Sequence, residues 1–253
     1  MLTNILGQNP NFHVSSTSGI LDIIMNVRNM WQKLPEFKAT PNEAGKIRVL
    51  KGILNNYYGD VEKPIVFDKS RGWVAQLEFV ENLLGRKAKI LVPVRDITEI
   101  LTSFEMIWRR DSKTRQVPQE AKHFIDFQTI RGRCSVWMKP EQPVGIAYNR
   151  VRDALHRGFA DRMHFVEYDD LTNFPKQTMD SIYKFLEEEP FEHDFADVKQ
   201  ITHEDDTQFG FSELHTIRSK VEPKPKMALS VLGTDVCNLY RNCEFWRKKQ
   251  DGN

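Results

Sequence analysis

The chain of 253 residues is poor in several features that would assign it to a class of proteins. Its three cysteines, Cys134, Cys237 and Cys243, form no C-x-x-C pair, which argues against a disulfide framework and favours a reducing, cytoplasmic compartment. The 36 lysines and arginines nearly balance the 35 aspartates and glutamates, so no overall field attracts nucleic acid or an anionic membrane. No apolar stretch reaches the length of a membrane span. Any anion site must therefore be local.

Common nucleotide and metal motifs are also missing. The sequence contains no G-x-x-x-x-G-K-[ST], because Gly45-Lys46 lacks the upstream glycine, and neither G-x-G-x-x-G nor G-x-S-x-G occurs. The seven histidines form no H-x-x-x-H pair. The acidic run from His193 to Asp206 is expected to be a solvated loop, so we predict no metal site.

The most informative stretch changes from an apolar strand to an amphipathic helix at one charged residue. Ile90 to Val94 is short, apolar and rich in β-branched residues, which is typical of a buried parallel strand. Beyond Asp96, apolar residues recur at the three-and-four spacing of a helix. Arg95 therefore lies at the carboxyl end of a strand, where α/β sheets bind ligands, and its planar fork suits phosphate oxygens. Ser103 lies about two turns further along this helix.

Two further stretches predict the same strand, turn and helix unit. Pro64 to Asp68 predicts a strand that ends at Lys69, followed by a helix stopped by Gly85. Met163 to Tyr168 predicts a third strand with a helix behind it. This alternation predicts one α/β domain, with three α/β/α layers and a central parallel sheet. A helix is also expected within residues 15–34, with its cap among residues 15–18.

These three segments and a fourth, at Ser219, resemble the sulfotransferases that use 3′-phosphoadenosine 5′-phosphosulfate (PAPS), most closely the tyrosylprotein and bacterial branch. They are V-R-D-x-x-x-x-x-x-S from Val94, D-K-S-R-G-W from Asp68, Y-D-D-L from Tyr168 and S-K-V-E from Ser219.

The resemblance implies roles for particular residues. Lys69 would be the catalytic lysine, and Arg95 and Ser103 would bind the 3′-phosphate of the cofactor. The segment with Ser219 and Lys220 would close over the cofactor, and Arg218, Ser219 and Lys220 would be candidates for phosphate contacts. Tyr168 would either contact the nucleotide or serve as a core tyrosine. The implied fold is the P-loop NTPase-like sulfotransferase fold.

The start of the chain departs from the family pattern. Its first residues resemble the helix that follows the first strand and the phosphosulfate loop of these enzymes, and the loop, a P-R-S-G-S/T-T-L type sequence, is absent. Backbone amides of such a loop cradle the 5′-phosphosulfate. We therefore expect residues 1–253 to form a single sulfotransferase domain that lacks its first strand and loop, either because the start codon was placed too late, which we favour, or through truncation.

The resemblance implies transfer of a sulfuryl group from PAPS to a hydroxyl or amine acceptor without a metal, releasing 3′-phosphoadenosine 5′-phosphate (PAP). The class of the acceptor cannot be read from the sequence. Neither the glutamate nor the histidine base of the family has a counterpart, and Asp68, Asp22 and His13 remain candidates. The alternative is an inactive nucleotide-binding or interaction protein that keeps only the 3′-phosphate half-site. A P-loop kinase is disfavoured, because nothing resembles a magnesium-binding motif.

Overall fold

A computed structural model describes residues 1–111, 122–209 and 214–247 of the chain. The strands within these residues are β1 (Phe12–Thr17), β2 (Ile65–Lys69), β3 (Ile90–Val94) and β4 (Met163–Glu167). The α-helices in the described part are α1 (Leu2–Leu6), α2 (Ile20–Lys33), α3 (Pro35–Ala39), α4 (Glu43–Tyr57), α5 (Leu77–Leu84), α6 (Ile97–Asp111), α7 (Ile130–Trp137), α8 (Pro143–His156), α9 (Tyr168–Asn173), α10 (Pro175–Leu186), α11 (Ala228–Leu232) and α12 (Thr234–Leu239).

The strands form two parallel pairs. β1 pairs with β2, from Phe12 opposite Ile65 to Thr17 opposite Lys69, with an irregular register after Val14. β3 pairs with β4 in regular register, ending with Val94 opposite Glu167. Because Arg95 and Tyr168 directly follow this last pair, the register brings them side by side at the carboxyl end of the strands.

Helices cover both faces of β3 and β4, which confirms the predicted α/β class. Val92 and Met163 pack in a core formed mainly with α2, α4, α5 and α8. Leu91 and Val166 face the other way, into a core with α1 and α10. Since successive strand residues point to opposite faces, the strands lie between two helical layers.

A third core joins α6, α7 and α12. Within the described residues, no helix has the length and apolar character that crossing a membrane requires.

The structure contains two of the predicted helices and a strand that was not predicted. The helix before Gly85 ends as predicted, with this glycine in the left-handed region at φ 69°. The helix expected within residues 15–34 is present as α2, which starts at Ile20, and Ser18 Oγ accepts from the backbone amide of Ile20 at 3.2 Å. The strand before it, β1, was not predicted. Ser15 bonds to the neighbouring strand, since its Oγ accepts from the backbone amide of Lys69 at 2.8 Å.

Candidate functional site

A cavity of about 240 Å³ lies where the strands end. Its walls come from the start of α1, from the last residue of β2, from the residues that follow β3 and β4, and from the segments around residues 202 and 214–224. The ionisable side chains and the tyrosine that line it are Lys69, Arg95, Tyr168, His215, Arg218 and Lys224. Four of these, Lys69, Arg95, Tyr168 and Arg218, are residues that the sequence indicated.

Arg95 is held in place by an aromatic ring rather than by a close ion pair. Its guanidinium carbon lies 4.4 Å from the ring centroid of Tyr168, a cation–π distance. Its Nη2 is 3.5 Å from Glu99 Oε2. Its Nε is buried and has no hydrogen-bond partner among the residues that the structure describes. Leaving a buried donor unpaired costs about 1–3 kcal/mol, so the position indicates a site for a ligand's acceptor oxygen.

Two more cations come from the segment that follows residue 214. Arg218 Nη2 donates to the hydroxyl of Tyr168 at 3.2 Å and to the carbonyl oxygen of Glu222 at 2.8 Å. Lys224 has no ion pair with any residue in the described ranges. Its partial burial lowers the pKa of Lys224, and the nearby charges of Arg218 and Arg95 lower this pKa further. Because these like charges repel one another, an anion that binds between them would be stabilised, and the cluster is suited to binding an anion.

Backbone contacts hold this segment across the strand ends. Val198 donates its amide to the carbonyl oxygen of Ser219 at 2.6 Å, and the amide of Val221 donates to Phe195 O at 2.9 Å. Further along, the buried Glu99 accepts from the amides of Met227 and Ala228, each at 3.1 Å, and so caps α11. Glu99 therefore links the helix that follows Arg95 to the segment that carries the other two cations.

Lys69 also lines the cavity and has a carboxylate as its partner. Its Nζ is 2.7 Å from Glu204 Oε1, and the Glu204 side chain is only 6% exposed. Glu204 also accepts from the amide of Thr17 at 3.0 Å and from its hydroxyl at 2.8 Å. Burial alone would raise the pKa of Glu204, but the hydrogen bonds from Lys69 and Thr17 outweigh it and hold this pKa below its usual value.

His215 joins Glu204 to a second buried carboxylate. Its Nδ1 is 3.1 Å from Glu204 Oε2 and is also hydrogen-bonded to Asp206 Oδ1. Asp206 is 8% exposed at its side chain and accepts from the backbone amide of His215 at 2.9 Å. Burial opposes ionisation of Asp206, yet these bonds hold its pKa below the usual value. The expectation that this acidic run is a solvated loop was therefore wrong for Glu204 and Asp206.

The other residues proposed from the sequence do not line the cavity. Ser103 is exposed on the outer face of α6, since the buried positions of this turn are Leu101, Thr102 and Glu105. Ser219 and Lys220 are exposed as well, and Lys220 pairs with Glu222 at 3.1 Å. In their place, the same segment turns Arg218 and Lys224 toward the cavity. The roles of Ser103, Ser219 and Lys220 stay predictions.

The three candidate bases also lie away from the cavity lining. Asp68 accepts from Trp73 Nε1 at 2.6 Å and from the hydroxyl of Tyr58, so both of its oxygens are engaged. His13 packs edge-on against the Tyr58 ring, with 5.7 Å between centroids. Asp22 is exposed in the first turn of α2.

Comparison with known proteins identifies the family of the chain through one family model. Residues 1–193 match the model of the sulfotransferase family. Among solved structures, the sulfotransferase domain from the curacin biosynthetic pathway is similar, at 19% identity and a TM-score of 0.37. That alignment covers 74% of this chain and 61% of that domain. No curated protein matches the chain.

Proposed function

Because this chain belongs to the sulfotransferase family, we propose that it moves a sulfuryl group from PAPS to a hydroxyl or amine acceptor. The observation that carries the choice of donor is the buried Nε of Arg95, which has no hydrogen-bond partner among the described residues. Arg95 lines a cavity that Arg218 and Lys224 also line. PAPS carries a 3′-phosphate and a 5′-phosphosulfate, and a cluster of cations with few counter-ions suits such a polyanion.

In this proposal two groups of cavity residues have different roles. Arg95, with Arg218 and Lys224, binds anionic oxygens of the donor, and Tyr168 fixes the plane of the Arg95 fork. Lys69 neutralises charge on the oxygen that bridges sulfur and the 5′-phosphate. Ser103, Ser219 and Lys220 would have to approach the cavity in order to share in this binding.

The transfer is an in-line displacement at sulfur. A lone pair of the acceptor oxygen forms the new S–O bond while the bond between sulfur and the bridging oxygen breaks. The electron pair of the broken bond stays on the 5′-phosphate of the departing PAP. Negative charge thus grows on the leaving oxygen, and a positioned ammonium such as that of Lys69 stabilises it most in the transition state.

One observation favours the second candidate, an inactive protein that binds the nucleotide. Glu204 already neutralises Lys69 at 2.7 Å, so the ammonium has a built-in partner in the absence of donor. A protein that kept only the phosphate-binding end would need no more than Arg95, Arg218 and Lys224.

Calorimetric titration with PAP and transfer of radioactive sulfate from PAPS together test both candidates. A charged hydrogen bond contributes about 1.5–3 kcal/mol, so Arg95→Ala is expected to weaken PAP binding roughly 10- to 150-fold. The matched control is Arg48→Ala, which removes the same charge from an exposed position on α4 and should leave binding unchanged.

The outcomes separate the candidates. Equal PAP affinity in wild type and Arg95→Ala would refute the assignment of the phosphate site. Arg95-dependent PAP binding without sulfate transfer to alcohols, phenols, carbohydrates or amines would favour the inactive binding protein. Binding with transfer supports the sulfotransferase.

A further inference from the structure

A buried carboxylate contacts the arginine of the proposed donor site. Glu99 is in the first turn of α6, and its side chain is only 7% exposed. Its Oε2 is 3.5 Å from Arg95 Nη2, and its Oε1 accepts from the amides of Met227 and Ala228. The two oxygens of one carboxylate therefore contact two separate parts of the chain.

Helix α6 does not use this carboxylate for its own first amides. The amide of Ile97 donates to Glu244 Oε1 at 2.9 Å, and the amide of Thr98 donates to Asp96 Oδ1 at 2.9 Å. Within the described residues, the hydrogen bonds of the Glu99 side chain go to Arg95 and to the start of α11. A buried carboxylate is costly unless it is paired, so these outside contacts account for its place in the helix.

The start of α11 fixes the position of the Glu99 carboxylate. The amides of Met227 and Ala228 both donate to Oε1, each at 3.1 Å, and they belong to a backbone that the helix holds rigid. With Oε1 held by two donors, Oε2 has a defined place beside Arg95.

Arg95 needs such a contact in order to have one orientation. The Tyr168 ring, 4.4 Å from the guanidinium carbon, fixes the plane of the fork. A planar group that lies on a ring can still turn within its plane, and an acceptor at one of its nitrogens removes that freedom. Because the Arg95 side chain is 23% exposed, it has room to turn, and the contact of Nη2 with Glu99 limits this rotation.

We propose that Glu99 is the positioning residue of the donor site, holding the Arg95 guanidinium in the orientation that binds the anionic donor. This inference rests on the donor binding proposed above, and Glu99 acts through Arg95 without touching the donor. The carboxylate charge opposes an incoming anion. The contact of 3.5 Å is longer than a charged hydrogen bond of about 2.7–2.9 Å, so much of the Arg95 charge stays available to the donor.

The substitution Glu99→Gln separates positioning of Arg95 from capping of α11. The side-chain carbonyl of Gln can still accept from the amides of Met227 and Ala228, which places its NH₂ group against Arg95 Nη2, donor against donor. The cap is kept and the contact with the arginine is lost. The urea midpoint of unfolding should therefore remain close to that of wild type, while PAP binding weakens.

The test is a double-mutant cycle measured by calorimetric titration with PAP. The proteins are wild type, Arg95→Ala, Glu99→Gln and the double variant. Glu99→Gln should weaken PAP binding roughly 3- to 30-fold, less than Arg95→Ala, because the guanidinium is displaced rather than removed. In the Arg95→Ala background, the same substitution should change the affinity by less than about twofold. A residue that supported only the fold would cause the same loss in both backgrounds.

Two more variants complete the design. Glu36→Gln is the matched control, because it removes the charge of an exposed glutamate from the first turn of α3 and should leave PAP affinity unchanged. Glu99→Asp keeps the charge and shortens the side chain, so a loss that depends on Arg95 in this variant is due to position rather than charge. It also replaces Glu99→Gln in the cycle if that protein fails to fold.

The outcomes separate this inference from the proposed function. Arg95-dependent PAP binding with unchanged or tighter affinity in the Glu99 variants overturns the role of Glu99 alone. Equal losses in the two backgrounds overturn it as well, since Glu99 would then act through the fold. If wild type and Arg95→Ala bind PAP equally, the donor site itself has failed, and the role of Glu99 fails with it.

Discussion

A buried ion pair behind the site allows a stability prediction with a defined magnitude. Glu105 on α6 is completely buried, at 0% exposure. Its two oxygens accept from Arg133 Nε and Nη2, each at 2.7 Å, and Oε1 also accepts from Arg109 Nε at 2.7 Å. Replacing Glu105 by Gln removes the negative charge and places an amide group against these donors.

The expected loss follows from what the substitution leaves behind. The Arg133 side chain is 6% exposed, with Nη1 bonded to Phe127 O at 2.7 Å and the guanidinium carbon 3.8 Å from the Trp108 ring centroid. A guanidinium enclosed in this way cannot reorient to be hydrated by solvent. Breaking a buried pair by removing one partner costs about 3–5 kcal/mol. Since domains unfold with about 5–15 kcal/mol, Glu105→Gln should lose a large part of the stability.

Urea unfolding followed by circular dichroism measures this loss. The double variant Glu105→Leu, Arg133→Met should be more stable than Glu105→Gln, because it leaves no buried charge unpaired. The control is Glu78→Gln, whose exposed pair with Arg157 should contribute no more than about 1 kcal/mol. A Glu105→Gln protein within 1 kcal/mol of wild type, or a double variant as unstable as the single one, would refute this reasoning.

Two further predictions concern the rest of the fold. His193 is bonded to Tyr183 and Gln8, and burial lowers its pKa in the folded protein, so the unfolded chain binds its proton more readily. The contribution of His193 to stability should therefore be complete above about pH 6.5 and fall as the pH drops below that value. In urea unfolding, the free energy of unfolding of His193→Gln should decrease less steeply over this range than that of wild type. An equal pH dependence in the two proteins would contradict the prediction. A Cβ at Gly145 would lie 2.1 Å from a backbone carbonyl oxygen, so Gly145→Ala should lower the melting temperature. In α4 the nearest atom to a Cβ at Gly52 is 3.9 Å away, so Gly52→Ala should increase the free energy of unfolding by roughly 0.5–1 kcal/mol and raise the melting temperature. A Gly145→Ala variant that is more stable than wild type would show that the close contact is wrong.

The parts of the fold that could be predicted from the sequence depend on local patterns. The change from apolar strand to amphipathic helix at Arg95 is a change of period within twenty residues, and it places this arginine at a strand end without reference to the rest of the chain. Local patterns likewise place Lys69 at the end of β2. β1 was missed because its sequence, F-H-V-S-S-T, offers few apolar residues, and its pairing with β2 is more than fifty positions away.

The residues that were missed at the site depend on distant contacts. Glu204 is buried because Lys69, 135 positions earlier, and Thr17, 187 positions earlier, supply its donors. Nothing in the acidic run around it distinguishes a carboxylate with partners from a solvated one. Likewise, the extended segment after residue 214 has no periodicity to show that Lys224 lines the cavity with Arg218, whereas Ser219 and Lys220 do not.

The distribution of charge along the cavity also indicates how the work is divided in the proposed reaction. Glu204 is held by donors from Lys69, Thr17 and His215, so it cannot readily leave Lys69 when an anion arrives. The charge of Lys69 is then largely compensated in the ground state and attracts the donor weakly. Binding must come from the other cations of the cavity: among the described residues Lys224 has no ion pair, and Arg95 has only the 3.5 Å contact with Glu99. An ammonium that contributes little to binding, yet lies where charge develops on the leaving oxygen, is one that acts mainly in the transition state.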